Sequence, residues 1–159
     1  MTDDIRLFAR VLRHDKAALV AGLQSADINT RSPSGMTLLH AAAGKSGSLE
    51  IADELIRRGI GLDLQDEDGA TALIIATVWR KAAIAELILR SGARVDVTDD
   101  HGNQALWYAV RDPKRDDDVI RLLMRFGADP HHRNRCGKTP VDAARKRGIA
   151  SLVEVKGES

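Results

Sequence analysis

The stretch Gly35-Met36-Thr37-Leu38-Leu39-His40-Ala41-Ala42 decides how this sequence is interpreted, because altered copies of it recur along the chain. The copies begin at Gly69, Gly102 and Gly137, at spacings of 34, 33 and 35 residues. Self-similarity at a fixed period is typical of repeat architectures. Each copy predicts a short helix, and in three of the four a threonine two residues after the glycine is suited to cap it. Pro140 fits the first position of the last of these helices.

A second glycine series, Gly59, Gly92 and Gly127, has the same period, with spacings of 33 and 35 residues. Apolar residues at helical spacing precede each of these glycines, and an arginine stands near the end of each segment, where a helix favours positive charge. Glycine readily adopts the left-handed conformation that ends a helix. The pattern therefore predicts a second helix in each unit, over Leu49–Arg58, Ala82–Arg90 and Val119–Phe126.

These units resemble the ankyrin repeat, whose unit is a β-turn finger followed by two antiparallel helices. The resemblance rests on Gly-x-Thr-x-Leu-His-x-Ala at Gly35–Ala42 and on Gly-Ala-Asp at Gly127–Asp129, and it covers about residues 5–150. A tetratricopeptide array has nearly the same period but lacks the glycine- and aspartate-rich finger. The resemblance implies an all-α solenoid of about five helix-turn-helix units with short β-turn fingers.

The whole chain, residues 1–159, is expected to form one domain, with repeats at 32–65, 66–98 and 99–133. Residues 3–31 contain two helical patterns but no finger, and Asp15 fits the N-cap of the second helix. Residues 134–155 hold the last copy of the pattern, followed by a frayed tail from Lys156. Terminal units of a solenoid are usually atypical, so we interpret 3–31 and 134–155 as its two caps.

The histidine of the family's Thr-Pro-Leu-His motif joins neighbouring units by hydrogen bonds. His40 matches this position, whereas Ile74, Trp107 and Asp142 occupy it in the other units. Only the first full unit is therefore expected to use this contact. Trp107 is interpreted as filling space between units, with contact to a ligand as the alternative.

Composition narrows the classes of function. The chain is 43% hydrophobic but 3% aromatic, which predicts a core of alanine, leucine, isoleucine and valine. Its 24 basic and 23 acidic residues give a net charge of +1, so no overall attraction to nucleic acid or anionic membranes is expected. The single cysteine, Cys136, cannot form an internal disulfide. No secretory signal pattern or apolar run of roughly 20 residues occurs. We expect a cytoplasmic protein that is monomeric when free.

No combination of residues predicts a metal site, a cofactor or catalysis. His131 and His132 are adjacent in an extended segment and so point to opposite sides, and with Cys136 they lack a fourth ligand at a suitable spacing. The acidic clusters at 66–68 and 99–100 lack the spacing of a calcium loop and are interpreted as turn formers and finger tips. Phosphate-binding and nucleophile-elbow motifs are missing from the sequence.

The resemblance implies that a protein partner contacts the finger tips and the inner face of the first helices. Carried over position by position, the candidate residues are Gln65, Glu67, Asp68, Val78, Trp79, Asp100, His101, Asn103, Arg111, Asp112, Arg133, Arg135 and Lys138. Trp79 stands where stacking does not require an aromatic, although it could instead fold over its own helix pair. The middle fingers are acidic and the last finger is basic, which is either a solvated surface or a match to a partner of opposite polarity.

The loop at 110–118 is two residues longer than its counterpart in the second unit. It is either a neutral insertion or an added contact ridge beside the groove.

The leading functional hypothesis is a protein–protein interaction module, such as an adaptor or an inhibitor. A narrower form is an immunity or antitoxin protein that blocks a toxin or effector enzyme. A second class is a nucleic-acid binder that uses the basic patch near the C-terminus, against which the near-zero net charge and the acidic fingers argue. Enzyme activity is not expected.

Overall fold

The computed structural model describes residues 3–112, 117–149 and 152, and within these residues the chain forms nine helices with isolated bridges in place of strands. The first helices of the units are α1 (Asp3–Leu12), α3 (Leu38–Ala43), α5 (Ala72–Val78), α7 (Ala105–Arg111) and α9 (Pro140–Arg147). The second helices are α2 (Lys16–Gly22), α4 (Leu49–Arg57), α6 (Ala82–Arg90) and α8 (Asp117–Arg125). The all-α prediction is confirmed. Residues 113–116 of the 110–118 loop lie outside the described residues, as do 150–151, 153–155 and the tail from Lys156.

The helices form two layers. Helices α1, α3, α5, α7 and α9 pack side by side in an inner layer, and α4, α6 and α8 pack in an outer layer, while each unit's two helices contact each other. Alanine, leucine, isoleucine and valine fill the space between the layers, as the composition predicts. All six residues of α3 are buried, because this short helix has neighbours on every side. Each unit therefore depends on its neighbours to cover its apolar surface.

Side chains at the helix ends act largely as the sequence predicts. The Thr71 and Thr139 hydroxyls accept from the amides of Ile74 (3.3 Å) and Asp142 (3.1 Å), and Pro140 begins α9. The Asp15 carboxylate accepts from the amide of Ala18 at 2.9 Å and caps α2, as expected. The glycines of both series have positive φ angles: Gly35, Gly69, Gly102 and Gly137 in the fingers, and Gly59, Gly92 and Gly127 after the second helices.

Gln104 stands where the other units have threonine, and its side chain does not cap α7. Its Nε2 donates to the Asp96 carbonyl at 3.1 Å, while its buried Oε1 has no hydrogen-bond partner among the described residues. Gln104→Thr is expected to raise the free energy of unfolding by about 1 kcal/mol, because it supplies the missing cap and removes an unsatisfied oxygen. Urea unfolding measures this, with Gln104→Ala as a control that removes the oxygen without adding a cap. Equal stability of the two variants would argue against capping.

Four turns, which we call fingers 1 to 4, span residues 31–37, 65–71, 98–104 and 133–139. In finger 2 the Asp66 carboxylate accepts from the amides of Asp68 (3.1 Å) and Ala70 (2.8 Å). Asp99 in finger 3 and Asn134 in finger 4 each accept from two backbone amides in the same way. In finger 1 the Ser32 hydroxyl accepts from one such amide, that of Met36. The prediction that the acidic clusters form turns is confirmed for Asp66 and Asp99.

Backbone hydrogen bonds join each finger tip to the next. The amide of Glu67 donates to the Ser34 carbonyl at 3.1 Å, that of Asp100 to Asp68 at 3.0 Å, and that of Arg135 to His101 at 3.0 Å. The same position bonds at every step, so the tips form a regular ladder. This ladder fixes the spacing of the tip side chains along the array.

The His40 imidazole joins the first and second repeats as the resemblance implies. Its Nε2 donates to the Ala70 carbonyl at 2.9 Å, while its Nδ1 accepts from the amide of Thr37 at 3.1 Å. Both bonds suit the neutral ring with its proton on Nε2. Burial lowers the pKa of His40 below 6.5, against a smaller opposing effect of the Ala70 carbonyl.

Stability is expected to fall as the pH drops below 6.5. The pKa of His40 is lower in the folded chain than in the unfolded chain. The unfolded chain therefore binds the proton first, and folding loses up to about 1.4 kcal/mol per pH unit between the two pKa values. Urea unfolding between pH 7.5 and 5.5 measures the slope, above the usual range of carboxyl titration. His40→Gln should flatten the dependence of the unfolding free energy on pH. An unchanged slope in the variant would mean that other titrating groups cause it.

Candidate partner-binding face

The fingers and the inner-layer helices share one surface, which we call the groove face. A cavity of about 540 Å³ shows this arrangement, because Lys138 of finger 4 lines it together with Trp107 of α7 and Ala143 of α9. At the other end of the array, Ile5 and Phe8 of α1 line a cavity with finger 1. The groove face therefore runs the length of the stack.

Val78 and Trp79 form an exposed apolar pair at the end of α5, and Val78 lines a cavity with Tyr108 of α7 on the groove face. Their exposed fractions are 40% and 43%, although the Trp79 amide still donates to the Ile75 carbonyl at 3.0 Å. The next residue, Arg80, has a φ of 53°, a left-handed conformation that turns the chain sharply after Trp79. Trp79 is therefore partly covered and partly exposed at the end of its helix.

Asp112 is held by the preceding repeat. Arg80 Nη1 lies 3.0 Å from Asp112 Oδ2, and the Asp112 side chain is largely buried. With Val78, Tyr108 and Arg111, these two residues line a smaller cavity of about 300 Å³ beside α7. Asp112 therefore shapes the groove face between the second and third repeats, in addition to carrying charge there.

Five of the candidates in the middle fingers are exposed, and the sixth, Asn103, is buried. Glu67, Asp68, Asp100 and His101 are exposed at the ladder tips. Gln65 is also exposed, but its Nε2 donates to the carbonyls of Gly69 (2.7 Å) and Thr98 (2.9 Å), so it also joins two repeats.

Asn103 is excluded from the surface because it is only 6% exposed. Its side-chain oxygen Oδ1 accepts from Asn134 Nδ2 at 2.9 Å, and its side-chain nitrogen Nδ2 donates to Asp99 Oδ2 at 3.3 Å. The Tyr108 hydroxyl donates to the same Asp99 carboxylate. Burial, and to a smaller extent this hydrogen bond, raises the pKa of Tyr108 to about 12. Asn103 thus belongs to a polar network that joins fingers 3 and 4.

The basic candidates lie at the end of the array. Arg133, Arg135 and Lys138 of finger 4 are exposed, and Arg133 Nη1 donates to the Gly137 carbonyl at 3.0 Å. Trp107 is 7% exposed and packs in the inner layer, consistent with filling space between units. The Arg111 guanidinium lies 5.4 Å from the centroid of the Trp107 ring, a cation–π distance.

The residues considered for metal binding have other surroundings. His132 Nε2 bonds to the Gly102 carbonyl at 2.9 Å, which is a further imidazole contact between units that the sequence motif did not reveal. Cys136 is an exposed free thiol. Across the described residues, no group of three or more His, Cys, Asp or Glu side chains is placed to hold a metal ion. No described helix is both long and apolar enough to cross a membrane.

Known proteins similar to this chain share the same repeat. The model of ankyrin repeats in three copies matches residues 10–99 and 43–134. Human neurogenic locus notch homolog protein 1 is 35% identical over 140 residues, which is 86% of this chain and 5% of that protein. The ankyrin repeat domain-containing protein SAT10 of Stachybotrys chartarum is 38% identical over 87 residues, 55% of this chain and 4% of that protein. A putative ankyrin repeat-containing protein of Treponema pallidum is 36% identical over 96 residues, 60% of this chain and 32% of that protein.

This chain spans less than two thirds of the length of each of these relatives, so the similarity concerns the repeats themselves. Ankyrin repeats are generally non-catalytic modules for protein–protein interaction. The matched residues include fingers 1 to 3 and the helices α2 to α8. Together with the two helical layers and the finger ladder, these matches show that the chain belongs to the ankyrin repeat family.

Proposed function

We propose that this chain binds a protein partner through its groove face, with Trp79 as the apolar anchor. The observation that carries the proposal is the exposed Val78–Trp79 pair, which lies in the chain between the acidic fingers 2 and 3. Tryptophan is enriched among the residues that dominate binding energy at protein interfaces. An array with 3% aromatic residues that leaves a tryptophan 43% exposed presents a distinct anchor.

The charges of the finger tips suit a protein partner. Exposed Glu67, Asp68 and Asp100 lie at the tips of fingers 2 and 3, whereas Arg135 and Lys138 are exposed on finger 4. A partner with the opposite order of charges would be steered into one register by this pattern. The apolar pair would then supply affinity, while the charged tips supply orientation and specificity.

Two narrower forms of this function follow the same geometry. The chain would act as an adaptor if the partner keeps its activity when bound, or as an inhibitor if the groove face covers a partner's active site. The exposed free thiol of Cys136 suits a reducing compartment, so we propose that binding takes place in the cytoplasm.

Trp79→Ala is expected to weaken binding to the native partner by more than about 1 kcal/mol, or about fivefold, without loss of fold. The test captures partners from a nuclease-treated lysate of the native cells, identifies them by mass spectrometry, and measures their affinity for both proteins. Leu49→Ala is the matched control, because it truncates another exposed apolar side chain on α4 of the outer layer. Unchanged affinity of Trp79→Ala, or capture that nuclease abolishes, would contradict the proposal.

A further inference from the structure

The end of the groove face contains a basic pocket that the general proposal leaves unassigned. This pocket, of about 540 Å³, lies where finger 4 meets α7 and α9. We define the basic pocket by two groups of lining residues. Its apolar floor is formed by Trp107 and Ala143, and its cationic walls are formed by Arg111, Lys138, Arg145 and Lys146. Asp142 also lines it, so four cationic side chains share the space with one carboxylate.

The cationic walls lack carboxylate partners. Among the described residues, no ion pair involves Arg111, Lys138 or the two cations of α9, Arg145 and Lys146. The outer layer differs, because Arg57 pairs with Asp53 and Glu54, Arg90 and Arg125 pair with Glu86, and Arg121 pairs with Asp118. Concentrated positive charge without internal compensation creates a local potential that attracts anions.

The single carboxylate of the pocket is already engaged. Asp142 Oδ2 accepts from the Thr139 amide at 3.1 Å, as part of the box that caps α9. Hydrogen bonds from the side chain and backbone of Thr139 lower the pKa of Asp142, so it stays ionised at neutral pH and offsets about one of the four positive charges. An excess of positive charge is left for a ligand.

The Arg111 side of the pocket is held in place by contacts with its neighbours. Arg111 stacks over Trp107 at 5.4 Å, and Arg147 at the end of α9 donates to the Arg111 carbonyl, which joins α9 to α7. The floor of Trp107 and Ala143 is apolar. An apolar floor beside cationic side chains suits a ligand that places an apolar side chain next to several negative charges.

We propose that the basic pocket binds a short acidic segment of the partner protein, with two or more aspartate or glutamate side chains next to an apolar one. This inference rests on the proposed function and names the partner's chemistry at one end of the groove face. A nucleic acid fits less well, because its phosphates would continue along the face past the exposed Glu67, Asp68 and Asp100. A peptide can change the sign of its charges at that point, whereas a phosphate backbone cannot.

The test uses a fluorescent peptide of alternating glutamate and leucine, with a lysine-for-glutamate counterpart, single-stranded poly(U) and duplex DNA as competing probes. We expect the acidic peptide to bind the full chain, and we expect its affinity to fall as the salt concentration rises. Lys146→Glu, inside the pocket, should weaken binding about tenfold or more. Arg13→Glu is the matched control, because it makes the same charge change on an exposed residue that follows α1 at the other end of the array and does not line the pocket, and it should change affinity less than about threefold. Circular dichroism verifies that both variants fold.

Three results would overturn the inference: no binding of the acidic peptide to the unaltered chain, equal losses in the two variants, or tighter binding of poly(U) or DNA than of the peptide. Capture of the native partner separates this inference from the broader proposal. If Lys146→Glu captures the partner as well as the unaltered chain while Trp79→Ala does not, the basic pocket is not the site of an acidic segment and the broader proposal stands. Loss of capture in both variants supports both.

Discussion

Leu106→Ala is expected to lower the free energy of unfolding by about 2–5 kcal/mol, the range typical of cavities made in a packed core. Leu106 is 0% exposed, and its helix α7 packs against α5, α8 and α9. Truncation therefore leaves a void where the last two units join the rest of the array. Since a solenoid is stabilised by interfaces between neighbours, the loss also weakens the cooperativity of unfolding.

Urea unfolding followed by circular dichroism measures the effect of Leu106→Ala. Leu49→Ala is the control, because Leu49 is 47% exposed on α4 and should cost less than about 1 kcal/mol. We expect a lower unfolding midpoint for Leu106→Ala, and a broader transition if the C-terminal units unfold first. Equal midpoints for the two leucine variants would contradict the placement of Leu106 in the core.

Gly69→Ala is expected to cost about 3 kcal/mol or more, because two effects combine at this position. Gly69 has a φ of 75°, a conformation that costs other residues about 1–2 kcal/mol. A Cβ atom there would also lie 2.7 Å from the Asp100 amide nitrogen and 2.8 Å from its Oδ1. The same amide forms the ladder bond to the Asp68 carbonyl, so the substitution separates fingers 2 and 3.

Gly92→Ala separates the two effects. Gly92 has a φ of 98°, but a Cβ atom at this position would meet nothing within 4 Å. It should therefore cost only about 1–2 kcal/mol from the backbone conformation. Denaturant unfolding of both variants gives the difference, which measures the close approach of the two fingers. A cost of Gly92→Ala equal to that of Gly69→Ala would show that the finger contact adds nothing.

The repeat, its helices and most of its capping side chains could be predicted from the sequence because they are set locally and recur. Thr71 and Thr139 cap their helices through residues three positions away, and the glycines that end the second helices need only a left-handed backbone. The contact of His40 was predictable for another reason, since the matching motif implies its partner in the next unit.

The candidate site was less predictable, because its details depend on partners about one repeat away in the sequence. Asn103 is an ordinary exposed finger residue by its position, but Asn134 and Asp99 bury it in a network. Arg80 gives no sequence signal for its ion pair with Asp112, 32 residues further on. The basic pocket likewise requires α7 and α9 to pack together, so that Arg111 meets the cations of α9.

Site-specific photo-crosslinking in the native cells tests most directly whether the groove face binds a protein. A photoreactive amino acid is placed at Val78 or Lys138 on the groove face, and at Leu49 or Ala83, exposed positions of the outer layer. We predict that both groove-face positions crosslink to the same protein and that neither outer-layer position does. Crosslinks to that protein from the outer layer alone, or to nucleic acid from the groove face, would contradict the account.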